Sequence, residues 1–314
     1  MSFTDSDSDS FRECCRATLL GLAVGDALGS PLEYMSEAQI QIKHGTVNRM
    51  IGGGWLDLRP GQWTDETQLA LVLGSSVFEK GEVDLDDVVE RYLDWYRTGP
   101  VDLETMTRAS LALLEDGVSR EEASRQARLE HPEKSASHGT LARSVPLALW
   151  YGYDRSAMIR ETLAEARITH DDRIPGSASV VLNLLIAEMI KGENDLSALL
   201  ERVSEDLFET NDVEHVLPDP KGCSREQLRP GDAAVDTLEV ALWFLYHTDS
   251  FQDCLVGAVN MGGESGAIGS VAGALAGGWY GLDSIPKGWL SSLQGRNRVD
   301  HLARCLSRGY PGTD

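Results

Sequence analysis

Lysine is scarce in this chain of 314 residues: 6 of its 28 basic residues are lysine and 22 are arginine, against 50 aspartates and glutamates. The resulting formal charge of -22 repels a phosphate backbone, so direct nucleic-acid binding is not expected. Cysteine is also thin. The five residues Cys14, Cys15, Cys223, Cys254 and Cys305 match neither a disulfide framework nor a zinc spacing, and reduced, packed thiols are expected. No uninterrupted apolar run reaches the roughly 18 residues of a spanning helix. The nearest, Ala267 to Leu282, carries five glycines, and no membrane association is expected. Strand-like alternation punctuated by turn residues is missing too, which argues against a β architecture. The opening MSFTDSDSDS lacks the basic start and apolar stretch of a secretory signal, so a cytoplasmic protein with a disordered acidic tail over residues 1–10 is expected.

What is present is helical periodicity in an ordinary globular composition, 42% apolar and 25% charged. Leu19, Leu20, Leu22, Ala23 and Ala27 recur at helical spacing between Phe11 and Leu28, with Gly21 and Gly25 four apart on one face. A second helix, capped by Thr64 or Asp65, runs through Leu69, Leu71, Val72 and Leu73 to about Lys80, and further helical patterns cover Leu85 to Tyr96, Leu103 to Glu115, Arg120 to Glu130, Leu141 to Tyr151 and Ser156 to Arg167. Ser177 to Lys191 and Val235 to Tyr246 are apolar nearly all round and belong in the interior. The breaker-rich stretch Gly222 to Gly231 reads as a surface loop. The expected fold is all-α, a many-helix bundle in a single domain over residues 11–314.

Two clusters carry chemistry. Trp63-Thr64-Asp65-Glu66-Thr67 puts two carboxylates and two hydroxyls in the first turn of a helix, an oxygen density that suits a hard cation. The same residues also cap a helix and favour its positive end with nothing bound. Met261-Gly262-Gly263-Glu264-Ser265-Gly266-Ala267 is a glycine turn bearing one acid and opening a helix of small residues. Such glycines bring backbone near a ligand, or simply let helices approach closely.

Taken in order, GLAVGDALGSPLEY, GQWTDETQLAL, HGTLARSVPLAL, ITHDD and VNMGGESGAIGSVAGALAGGWYGLDSIPKGW resemble the motifs of the ADP-ribosylglycohydrolases, from about Phe11 to Leu293. The resemblance implies an all-helical fold that holds Mg²⁺ or Mn²⁺ between the two acidic turns and cleaves the glycosidic bond of ADP-ribose. The partner would be ADP-ribose or an ADP-ribosylated protein, with arginine, serine, a nucleobase or a free derivative as leaving group. The family's Thr-Asp-Asp-Thr falls on Thr64, Asp65, Glu66 and Thr67, which makes Thr64, Asp65, Glu66 and Glu264 the expected metal ligands. Glu33 matches the acid that the family places on a mobile loop over the scissile bond, so Glu33, Asp65 and Glu66 are the expected catalytic residues. His138, Gly139, His170, Gly263 and Ser265 are expected to hold substrate, while Arg143 and Asp26 read as structural.

The second turn departs from the family's Gly-Gly-Asp-x-Asp-Thr, because Gly266 and Ala267 stand where an aspartate and a threonine are usual. Two cations close together need bridging oxygens, so one ion, or weak binding, is expected here. A non-catalytic ADP-ribose binder with a degraded dinuclear site is the alternative. A structural use of the fold, as in the related lens crystallins, is a third.

Overall fold

The computed structural model describes residues 5–208, 210 and 212–309. Fifteen α-helices lie among them: α1 Asp5–Gly29, α2 Glu37–His44, α3 Asp65–Lys80, α4 Leu85–Arg97, α5 Thr105–Glu115, α6 Arg120–Glu130, α7 Leu141–Tyr151 and α8 Arg155–Ala166. They continue as α9 Arg173–Ile190, α10 Leu196–Phe208, α11 Ala234–His247, α12 Phe251–Val259, α13 Ser265–Tyr280, α14 Lys287–Ser292 and α15 Arg296–Leu306. The described residues contain no strand, only isolated bridges.

The first helix starts at Asp5, so Asp5 to Ser10, expected to be a disordered tail, continue it outward. An Arg12–Asp9 pair at 2.8 Å, one turn apart, ties this extension to the buried part of the helix. Residues 1–4 of that tail lie outside the described residues. Helix α9 also starts early, at Arg173, because the Asp172 carboxylate accepts from the Ile174 N–H and Pro175 sits in the first turn, where its missing N–H costs nothing. Helix α2 forms where the glycines of the surrounding stretch suggest irregular chain. A capping box supplies the reason, with the Ser36 N–H donating to the Gln39 side chain and the Gln39 N–H to the Ser36 hydroxyl. Helix α9 is long and apolar enough to cross a membrane, but 89% of it is buried in the protein.

Two helices organise the rest. Helix α1 runs antiparallel to α13 at backbone contact: a Cβ on Gly25 would lie 1.7 Å from the Gly269 carbonyl oxygen, and one on Gly273 would lie 2.0 Å from that of Gly21. Neither helix can retreat, since α7, α9, α11 and α12 enclose the pair in the main hydrophobic core. A smaller core joins α3 to α4 and α5 through Leu73, Tyr92 and Leu111. Gly25→Ala is therefore expected to lower unfolding stability by about 3 kcal/mol. Chemical denaturation measures this, and a loss below about 1 kcal/mol would contradict so tight a seam.

The seam also has a functional consequence. Its antiparallel direction places the end of α1, with Glu33 just beyond, against the start of α13, with Glu264 just before. Arg143 is fully buried and pairs with buried Glu165 at 2.9 Å, as Tyr92 Oη donates to the same carboxylate at 2.8 Å. Its role is structural, as expected from the sequence.

Candidate active site

Asp26, at the last turn of α1, is the hub of the first acidic turn. Its buried carboxylate accepts from the backbone N–H of Thr64 (3.0 Å) and Thr67 (3.0 Å), and from the hydroxyls of Thr64 (2.9 Å), Thr67 (2.5 Å) and Ser30 (2.8 Å). A distant aspartate thus caps α3, while Thr64 occupies the cap position without capping. Burial lifts the Asp26 carboxyl to about 6 against the pull of these donors, with Glu66 pushing the same way. Both threonine hydroxyls are committed to Asp26. The residues left to face outward are Asp65 and Glu66.

Those two acids line a cavity of about 110 Å³ together with Glu33, Tyr34, Asp102, Glu104, Lys134, His138, Asp232 and Glu264. Seven carboxylates and two basic groups converge on a volume of a few water molecules. A larger cleft of about 620 Å³ opens beside Trp63 and Trp95, but its Arg91 is already paired with Glu79 and Asp87 and no excess of one charge gathers there.

Glu33 sits beyond the end of α1 on a segment fixed to the second turn. The Tyr34 N–H donates to the Gly263 carbonyl and the Gly263 N–H to the Met35 carbonyl, both at 2.9 Å. Tyr34 has φ of 61°, a left-handed conformation held by those two bonds. Trp55, delivered by a turn of three glycines, donates from Nε1 to Glu33 Oε2 at 2.9 Å. Burial, then the charges of Asp102, Glu264 and Asp65, raise the Glu33 carboxyl well above the carboxylate range, with the Trp55 bond opposing them. Asp65 is raised in the same way, first by burial and then by Asp102 and Glu66, although it accepts from the Glu104 N–H at 3.1 Å.

The histidines differ. His138 stands in the cavity wall with Nδ1 3.1 Å from Glu66 Oε1, and with Nε2 3.7 Å from both Asp232 Oδ1 and Glu264 Oε2. Burial works against its charged form, but Glu264 and Glu66 outweigh it and raise the imidazole well above its ordinary value. His170 lies behind the cavity, bonded to the Thr169 hydroxyl at Nδ1 (2.8 Å) and to the Ser137 hydroxyl at Nε2 (3.1 Å). Burial drops it to about 4, so it is neutral at physiological pH. Ser137 passes the contact on to Glu104 Oε1 at 2.8 Å. Burial would raise Glu104, but the two imidazoles and the N–H groups of Met106 and Thr107 hold it at about 2. With His170 neutral, the His138 charge and the N–H groups are the parts of that pull that persist near pH 7. Glu104 therefore stays ionised as the cap of α5.

The remaining expected substrate residues face elsewhere. The Ser265 hydroxyl is buried and donates to the Gly29 carbonyl at 2.9 Å, tying α13 to α1. Gly263, at φ of 62°, lets the turn pass the Pro230 carbonyl, which a Cβ would meet at 1.8 Å. Gly139 leaves room for the Glu104 carboxylate, 2.7 Å from where its Cβ would lie. Asp102, Lys134 and Asp232 are cavity residues that the sequence reading does not reach. They sit in connecting segments where no period marks an inward-facing side chain, and the only signal was an acid close to a helix start.

Comparison with known proteins agrees with this fold. The chain matches the family described as ADP-ribosylglycohydrolase over residues 7–313. It is 36% identical over 275 residues to the ADP-ribosyl-[dinitrogen reductase] glycohydrolase of Rhodospirillum rubrum, covering 87% of this chain and 88% of that protein. It is 28% identical over 317 residues to an ADP-ribosylarginine hydrolase of Serratia proteamaculans (strain 568), covering 95% and 80%. A solved structure titled ADP-ribosylglycohydrolase-related protein complex superposes with a TM-score of 0.79 at 32% identity, over 96% of this chain and 99% of that one.

Proposed function

Because this chain belongs to the ADP-ribosylglycohydrolase family, we propose that it hydrolyses the N-glycosidic bond joining ADP-ribose to an arginine side chain of a protein. The observation that carries this reading is the meeting of Asp65 and Glu66 from one turn with Glu264 from the other and Glu33 from the segment after α1 in a single cavity. Its charge favours arginine over serine. A guanidinium leaving group is cationic and gains from a wall of seven carboxylates, whereas a serine hydroxyl gains little. The relative named an ADP-ribosylarginine hydrolase points the same way.

The cavity fits a divalent cation. Its acids outnumber its basic groups, and His138 Nδ1 is buried without a hydrogen bond. Asp65, Glu66 and Glu264 would hold the ion, with the Thr64 hydroxyl oxygen behind them. Mg²⁺ or Mn²⁺ there supplies charge stabilisation and a template for the ribose diol. The protein's own groups do the rest. With Oε2 taken by Trp55, Glu33 keeps Oε1 to carry a proton, and its raised pKa makes it a donor to the departing nitrogen near neutral pH. Lys134, 3.1 Å from Asp232 at the rim, offers the cavity's one ammonium to the diphosphate. His170 and Glu104 fix the wall from behind.

Incubation with arginine-linked and serine-linked ADP-ribosyl peptides tests the reading. Release from arginine is expected to exceed release from serine by at least about tenfold, a difference of about 1.4 kcal/mol in transition-state free energy. A chelator should abolish it and added Mn²⁺ restore it. Binding of ADP-ribose without release from either peptide would instead establish the non-catalytic alternative.

A further inference from the structure

Three segments meet beneath the cavity, and the backbone sews them together. The His138 N–H donates to the Asp232 carbonyl at 3.0 Å, the Ala234 N–H to the Ala136 carbonyl at 2.9 Å, and the Glu264 N–H to the Pro230 carbonyl at 3.1 Å. His138, Asp232 and Glu264 are therefore held in place by main-chain bonds rather than gathered by flexible side chains. One donor atom from each lies within 4.8 Å of the others.

His138 is only 7% exposed, and its nearest oxygens on the Nε2 side stand at 3.7 Å, too far for a hydrogen bond. Two metal–donor bonds of about 2.1 Å each span such a gap. On the other side, buried Nδ1 lies 3.1 Å from Glu66 Oε1 but is not aligned for a hydrogen bond. The Glu66 charge beside Nδ1 favours a proton on that nitrogen, so the proton that a bound ion displaces is the one on Nε2, the nitrogen turned toward Asp232 and Glu264.

We propose that His138 Nε2, Asp232 and Glu264 form a mixed nitrogen–oxygen site for a transition-metal ion of the Mn²⁺ to Zn²⁺ series in preference to Mg²⁺. The chemical reason is donor type. Mg²⁺ takes oxygen ligands and keeps its waters, whereas an imidazole nitrogen suits the later ions and raises affinity along that series. Asp232 comes from a connecting loop outside both acidic turns. The inference deepens the proposed function and rests on it only for the purpose the ion serves.

Electron spin-echo spectroscopy of Mn²⁺ bound to the full chain reads the site directly. Nitrogen modulation from a coordinated imidazole is expected in the natural protein and not in His138→Asn. In parallel titrations, His138→Asn should weaken Co²⁺ binding by at least about tenfold while changing Mg²⁺ binding by less than about threefold. Asp232→Asn should weaken Co²⁺ and keep the nitrogen signal, which leaves the test intact if the histidine variant does not fold. Bound Mn²⁺ without nitrogen modulation in the natural protein overturns the assignment. A nitrogen signal with no release from the arginine-linked peptide sinks the hydrolase reading and leaves this site standing.

Discussion

Asp65→Asn lowers the turnover of an arginine-linked ADP-ribosyl substrate by about a thousandfold, the loss expected when one charge-stabilising group is taken from a water-poor site. The amide keeps the shape and can still accept from the Glu104 N–H, so the structural bond at 3.1 Å survives. What disappears is a buried charge that Asp102 and Glu66 already disfavour. The thermal midpoint of the metal-free protein should therefore hold or rise, since removing one of several crowded like charges relieves their repulsion. Steady-state kinetics beside a melting curve separates the two effects. Lost activity with a collapsed midpoint would assign Asp65 to structure, and retained activity would remove it from the chemistry.

Gly266→Ala is the second large effect, and it reverses a simple expectation from the sequence. Glycine at 266 and alanine at 267 read as a damaged motif, which suggests that restoring a side chain would help. In the folded protein the space is taken: a Cβ on Gly266 would lie 2.1 Å from Glu33 Oε1 and 2.7 Å from the Ser30 hydroxyl. Added carbon would push aside the end of a flexible side chain rather than backbone, so the fold should tolerate it. The Glu33 carboxyl would swing off the cavity, and kcat should fall by two to three orders of magnitude, roughly the worth of a positioned proton donor. Glu33→Gln should show the same loss, and the double variant little more than either alone. A Gly266→Asp protein that gains activity would show instead that the natural chain lacks a carboxylate its reaction needs.

Local physics made much of the helical scaffold legible. The bounds of α6 and α7 coincide with the helical patterns read from the sequence, because a run of apolar residues at helical spacing between breakers has few other ways to bury itself. Gly21 and Gly25 were visible as one small face of α1. That this face meets the glycines of α13 at backbone contact was not, because spacing within one helix says nothing about its partner. The Asp65-Glu66 turn was equally plain as an acidic helix start. Asp26 reads as a mere helix-end acid until the fold brings Thr64 and Thr67 onto it, 38 and 41 residues along the chain.

By itself, the sequence determined the all-helical class, the two acidic turns, and the change at Gly266 and Ala267, all of which are properties of short stretches of residues. Only the tertiary structure decided that Glu33 fills the space above Gly266, that His138 faces Asp232 and Glu264, and that Ser265 serves the helix seam. Those facts depend on segments far apart in the chain being held by backbone bonds and a glycine contact. Side-chain direction at such a junction is set by packing between elements, which no local period encodes.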